Sequence, residues 1–144
     1  MHLISKSLAA IALLALAVSA SPVMADGNLA AKGTELPELK MDTKTNTFSQ
    51  TEYDLQTGKF YFLNISADDG ADNLAFMAPE FFRNVWIDQF VVNDLELKTQ
   101  YPYSLEFDNA GKFRISFVPI RPGVYEFYSP GYEDKGFKGK FVVK

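Results

Sequence analysis

The stretch YEFYSPGYEDKGFKGKFVV, from Tyr125 to Val143, gathers several side chains able to do chemistry. Tyr128, Tyr132, Glu133 and Asp134 bring phenols and carboxylates into one loop, oxygen donors that suit ferric iron or calcium rather than copper. Neighbouring carboxylates on an exposed loop also serve simply as a solvated turn. A second acidic group, Asp68, Asp69 and Asp72 in SADDGADN, lacks the bidentate glutamate that an EF-hand loop needs at its far end, and it reads as a polar connection between strands. Met41 and Met77 stand far apart in the sequence, whereas soft capture of cuprous ion needs more sulfur, so Met77 suits core filling. In EFFRNVW, the residues Phe81, Phe82, Arg83 and Trp86 make a docking patch anchored by Arg83 if they are exposed, and core if they are buried. No catalytic residue is assigned: the chain has no cysteine, no serine is accompanied by a histidine, and no pair of carboxylates is marked by its spacing.

The elements that must hold these groups read as strands. Tyr61, Leu63 and Ile65 alternate with polar residues in KFYFLNISA, and LAFMA and WIDQFVVNDLEL supply further strands, the latter broken near Asn93 and Asp94. YSLEFD, NAG and KFRISFV read as a hairpin, with Tyr103, Leu105 and Phe107 on one side of the first strand and Phe113, Ile115 and Phe117 on one side of the second. APEFFRN permits one helical turn after Pro79, IRPG predicts a type II turn centred on Pro122 and Gly123, and KGKFVVK closes the chain. Short strands separated by regular turn signals predict an all-β sandwich or barrel over residues 51–144. Residues 26–50 are polar, rich in small side chains and without sustained period, and predict a flexible arm.

Residues 1–25 have the pattern of a secretory signal peptide: basic Lys6, an apolar run from Leu8 to Val18, then Val23 and Ala25 where a signal peptidase would read them. Cleavage after Ala25 is favoured over cleavage after Ala20. The expected location is outside the cytoplasm, in a bacterial periplasm, with no transmembrane segment in the mature chain. The formal net charge is −4, and the single histidine, His2, lies within the leader. An acidic chain without a basic stripe is not a nucleic-acid binder. With zero cysteines, stability must come from burial, for which thirteen Phe and seven Tyr provide the material.

The closing segment resembles the C-terminal copper loop of plastocyanin- and amicyanin-type cupredoxins, Gly-x-Tyr-x-Phe-x-Cys followed by His, Gly-Met and Gly. Gly123, Tyr125, Phe127, Gly136 and Gly139 fall in register with that pattern, and the resemblance implies that the strands from Thr51 onward form the same all-β, cupredoxin-like Greek-key sandwich. The resemblance implies that Ser129 stands where the cysteine ligand would be, Tyr132 at the histidine and Phe137 at the axial methionine. It implies that the remaining histidine position lies near Phe82, Arg83 or Asn84, with Arg83 taken as the representative. A blue-copper site needs a thiolate and two imidazoles to hold both oxidation states. Ser129 keeps its proton near neutral pH and Phe137 has no lone pair, so no cofactor is expected. Tyr132 and Phe137 are expected to fill the vacated space.

The function this implies is an exported, non-catalytic cupredoxin-like accessory module, binding a periplasmic or membrane-protein partner and serving a metal-uptake or redox system. One alternative is direct binding of iron, copper or calcium through oxygen ligands. Another is an enzyme or electron relay through Tyr125, Tyr128, Tyr132 and Trp86.

Overall fold

A computed structural model describes residues 32–144. The larger sheet contains β1 (Thr34–Glu35), β2 (Leu39–Asp42), β3 (Thr47–Phe48), β5 (Tyr61–Ala67), β7 (Val85–Val92), β8 (Leu95–Leu97) and β10 (Gly111–Pro119). Its order is β3-β2-β5-β10-β7-β8, with β1 also paired to β5. The second layer joins β4 (Glu52–Leu55), β12 (Lys138–Val143) and β11 (Gly123–Tyr128), in the order β11-β12-β4. The short pair β6 (Leu74–Phe76) and β9 (Leu105–Phe107) extends this layer, because Met77 and Tyr128 exchange both backbone hydrogen bonds at 2.9 Å. A single helical turn, α1 (Pro79–Arg83), has proline in its first turn and packs against β11 and β7.

Alternation decides which face each strand buries. Tyr61, Leu63, Ile65 and Ala67 of β5 point inward and are buried. Between the layers, Phe76 and Phe127 meet Phe48 and Phe113, while Phe81 stacks on Phe141 with ring centroids 4.0 Å apart. The core is thus largely a mesh of aromatic rings, each worth roughly 1.5–3 kcal/mol of burial. The all-β sandwich expected from the strand rhythm is the architecture found.

Three expectations fail, each for a physical reason. Much of the supposed arm carries β1, β2 and β3, and buries Leu39, Met41 and Phe48. These strands are two to four residues long, too short to leave a period in the sequence. The leader and residues 26–31 lie outside the described residues. Second, β9 does not form a hairpin with β10 but pairs with β6, Leu74 opposite Phe107 and Phe76 opposite Leu105. Strand β10 already has β5 on one side and β7 on the other, so it has no free edge. Third, Gly123 does not take the positive φ that a type II turn requires. It opens β11, where a Cβ would lie 2.8 Å from the Tyr125 hydroxyl. That hydroxyl donates back to the Arg121 carbonyl at 2.9 Å, a tyrosine corner that fixes the crossing from β10 to β11.

Candidate functional site: a closed loop with an aromatic plug

Strand β11 ends at Tyr128, paired with Lys138 of β12, and the chain between them folds back on itself. Ser129 N–H donates to the Phe137 carbonyl at 3.0 Å, Tyr132 N–H to the Ser129 carbonyl at 3.1 Å, and Phe137 N–H to the Tyr132 carbonyl at 3.2 Å. A turn of 3₁₀ helix, Glu133–Lys135, fills the tip and ends at Gly136 with φ +122°. A side chain there would be strained, and its Cβ would lie 2.9 Å from the Asn46 carbonyl. The loop therefore draws Ser129, Tyr132 and Phe137 together at one end of the sandwich.

Their environments differ. Phe137 is 0% exposed, its ring edge-on to Phe48 at 5.1 Å between centroids. Ser129 is also buried. Tyr132 is 37% exposed and covers Phe137 from the solvent side, centroids 6.1 Å apart, with the Lys135 ammonium 4.7 Å from its ring. The space is filled from inside by Phe137, and Tyr132 contributes only a partial cover.

The fourth position is not where the sequence suggested. Because Met77 lies opposite Tyr128 in an antiparallel bridge, Phe76 of β6 falls opposite Ser129, and the strand edge at this end is the start of β6. The chain reaches it through Asp72 and Asn73, the latter in the left-handed region at φ +57°. The segment Phe82–Asn84 sits at the other end of β11, where the Asn84 carbonyl accepts from Ile120 N–H beside the β10–β11 turn. The six residues of β11, about 20 Å of strand, lie between that turn and Ser129. Misplacement arose because the local sequence could not say which strand becomes the neighbour of β11; the turn-forming Asp72-Asn73 directly before LAF was the available signal.

The same geometry dissolves the docking patch as expected. Phe81 and Phe82 are each 2% exposed and belong to the core. Arg83 remains at the surface, paired with Glu80 and lying over the Tyr101 ring at 5.4 Å, and Trp86 is half-buried on the outward-facing side of β7. None of Tyr125, Tyr128, Tyr132 and Trp86, the residues of the relay alternative, has another of the four as a ring neighbour; Tyr125 meets Phe81 and Tyr132 meets Phe137.

Two of the acidic side chains singled out in the sequence have structural partners. Asp68 accepts from the Thr43 hydroxyl, from Thr43 N–H at 3.2 Å and from Gly70 N–H at 3.4 Å, and the Thr43 hydroxyl bond leads the effects that hold its carboxyl below the usual range. The Asp72 carboxylate accepts from the Asn73 amide at 2.8 Å. Among the described residues, no three His, Cys, Asp or Glu are grouped so as to hold a metal ion. Met41 is buried in β2 while Met77 belongs to the bridge with β11, so the two thioethers serve different parts of the fold. Tyr53, buried and donating to the Pro37 carbonyl at 2.9 Å, has its phenol pKa raised by desolvation and then by the nearby Glu38 charge.

A type 1 copper ion does not fit this donor set. A buried hydroxyl, a partly exposed phenol and a buried phenyl ring replace the thiolate, imidazole and thioether, and Asp72, Asn73 and Leu74 at the start of β6 supply no imidazole.

No protein-family model matches the sequence, and no curated protein matches it significantly. Solved structures do resemble it. Reduced auracyanin from Roseiflexus castenholzii superposes with a TM-score of 0.52 at 16% identity, over 79% of this chain and 98% of that one. A multicopper oxidase gives a TM-score of 0.58 at 11% identity, over 77% of this chain and 44% of that one. The laccase-like multicopper oxidase CueO from Ochrobactrum sp. gives 0.58 at 12% identity, over 83% of this chain and 33% of that one. The chain thus spans less than half the length of these oxidases. At such identities the likeness shows the fold, which is cupredoxin-like.

Proposed function

We propose that this cupredoxin-like chain is an exported, non-catalytic accessory module that acts through its surface in the periplasm, binding a periplasmic or membrane protein of a metal-uptake or redox system. The observation that carries this reading is Phe137: the axial-ligand position of the resemblance is a fully buried phenyl ring packed on Phe48. Filling the loop with hydrocarbon stabilises it without an ion and leaves no thiolate, imidazole or thioether there to hold copper in either oxidation state. A fold kept intact while its metal chemistry is replaced retains its outer faces for recognition. The leader-like residues 1–25 and the acidic composition support an exported role.

The test is a titration of the purified mature protein with copper, iron and calcium salts while melting temperature is followed. A ligand that binds only the native state must raise stability. No saturable rise is expected with any of the three. A rise that saturates at one ion per chain, and disappears when Tyr132, Glu133 and Asp134 are substituted, would overturn the reading in favour of an oxygen-ligand metal site.

A further inference from the structure

We propose that the chain pairs with a second copy of itself through the free edge of β8, continuing the larger sheet across a two-fold axis at Leu97. Among the described residues, strand β8 ends that sheet and is paired only with β7. A strand paired on one side leaves alternate N–H and C=O groups pointing outward, ready for another strand. All three of its residues are exposed, Leu95 at 61% and Leu97 at 40%, and β8 contains no proline.

The neighbouring stretch of β7 is closed by a side chain. The Gln100 amide accepts from Ile87 N–H at 3.3 Å and donates to the Ile87 carbonyl at 2.6 Å, doing what a further residue of β8 would have done. The accessible edge is therefore confined to Asp94-Leu95-Glu96-Leu97-Lys98.

Charge selects the occupant. In an antiparallel pairing centred on Leu97, Glu96 stands opposite Lys98 of the second copy and Lys98 opposite its Glu96, while the two Leu97 side chains meet at the axis. Centring on Glu96 sets two carboxylates face to face, and centring on Leu95 sets Asp94 against Glu96. The Leu97-centred register alone satisfies both charges without a like-charge pair, and opposite charges directly across strands are favourable where like charges are not. Within one chain Lys98 lies 3.5 Å from Glu96 and 3.8 Å from Asp88, exposed contacts that a second copy can replace at little cost. The symmetry is the isologous kind common in dimers. The contact is short, so association is reversible and concentration-dependent.

Sedimentation equilibrium on the mature protein over a concentration series tests this. The weight-average mass is expected to rise from one chain toward two. Glu96→Lys and Lys98→Glu each convert both attractive pairs into repulsive ones and should each weaken the dimer about tenfold. The double variant exchanges the two charges and should regain the original strength. Because both side chains are more than half exposed, the fold tolerates the changes, and an unchanged circular dichroism spectrum verifies that. A monomer at every concentration overturns the proposal. So does a dimer indifferent to the single variants, or a double variant as weak as the singles, since the Glu96-centred register would leave it repulsive.

Discussion

Replacing Phe137 by alanine tests most directly whether the metal loop has become part of the core. The ring is 0% exposed, and a buried aromatic side chain removes about 150–250 Å² from water. At roughly 25 cal/mol per Å² that amounts to about 4–6 kcal/mol as an upper figure, and measured Phe→Ala costs in cores run about 3–5 kcal/mol. A domain of this size has only about 5–15 kcal/mol to lose, so the variant is expected to sit near the edge of stability. Equilibrium unfolding in urea reads the loss as a lowered midpoint at unchanged slope. Three controls localise the effect. Phe137→Met, which nearly conserves volume, should cost less than about 1.5 kcal/mol. Tyr132→Ala, at a partly exposed position, should cost about 1 kcal/mol or less. A double-mutant cycle between Phe48 and Phe137 should return a coupling of about 0.5–1.5 kcal/mol for the edge-on pair. A loss below about 1 kcal/mol for Phe137→Ala would refute the argument, because a ring that holds the loop closed cannot be removed so cheaply.

Two further predictions concern Asp68 and the lost ligand position. Hydrogen bonds from Thr43 and Gly70 depress the folded-state pKa of Asp68, so its contribution is present above the unfolded-state pKa and is lost as pH falls through the folded-state value. Asp68→Asn should therefore flatten the acid side of a plot of urea midpoint against pH, and an unchanged acid limb would argue that the clip to Thr43 does not form. Combining Ser129→Cys, Tyr132→His and Phe137→Met with Asp72→His places all four changes at the start of β6 and its facing loop. Adding cupric ion should give a visible charge-transfer band with Asp72→His and none when Arg83→His is used instead; the reverse result would overturn the strand placement.

Strong alternation made the long strands legible. In β5, β11 and β12 the buried residues fall at every second position, as they do in β10 as far as Phe113 and Ile115, and in β5 Tyr61, Leu63 and Ile65 occupy the buried positions expected of them. The helical turn after Pro79 was likewise local, set by a proline in the first turn. Short strands escaped notice: Leu39, Met41 and Phe48 earn their buried places from neighbours on β5 and in the second layer, not from any pattern of their own. Partnerships escaped as well. That β9 joins β6 follows from β10 having both edges occupied, a fact about the whole sheet.

What the sequence determined by itself was chemical: Ser129, Tyr132 and Phe137 occupy the positions the resemblance gives to the ligands, and no thiolate exists anywhere in the chain. Side-chain chemistry is a property of residue type, so no folding was needed to exclude a type 1 copper site. The tertiary structure alone decided which side chains became core and which surface. Phe81 and Phe82 went inward while Arg83 stayed outside, Tyr132 remained half open while Phe137 was sealed, and β6, rather than the segment before β7, came to lie beside the loop. Burial and strand neighbours depend on contacts between residues far apart in the chain, and a local pattern does not contain them.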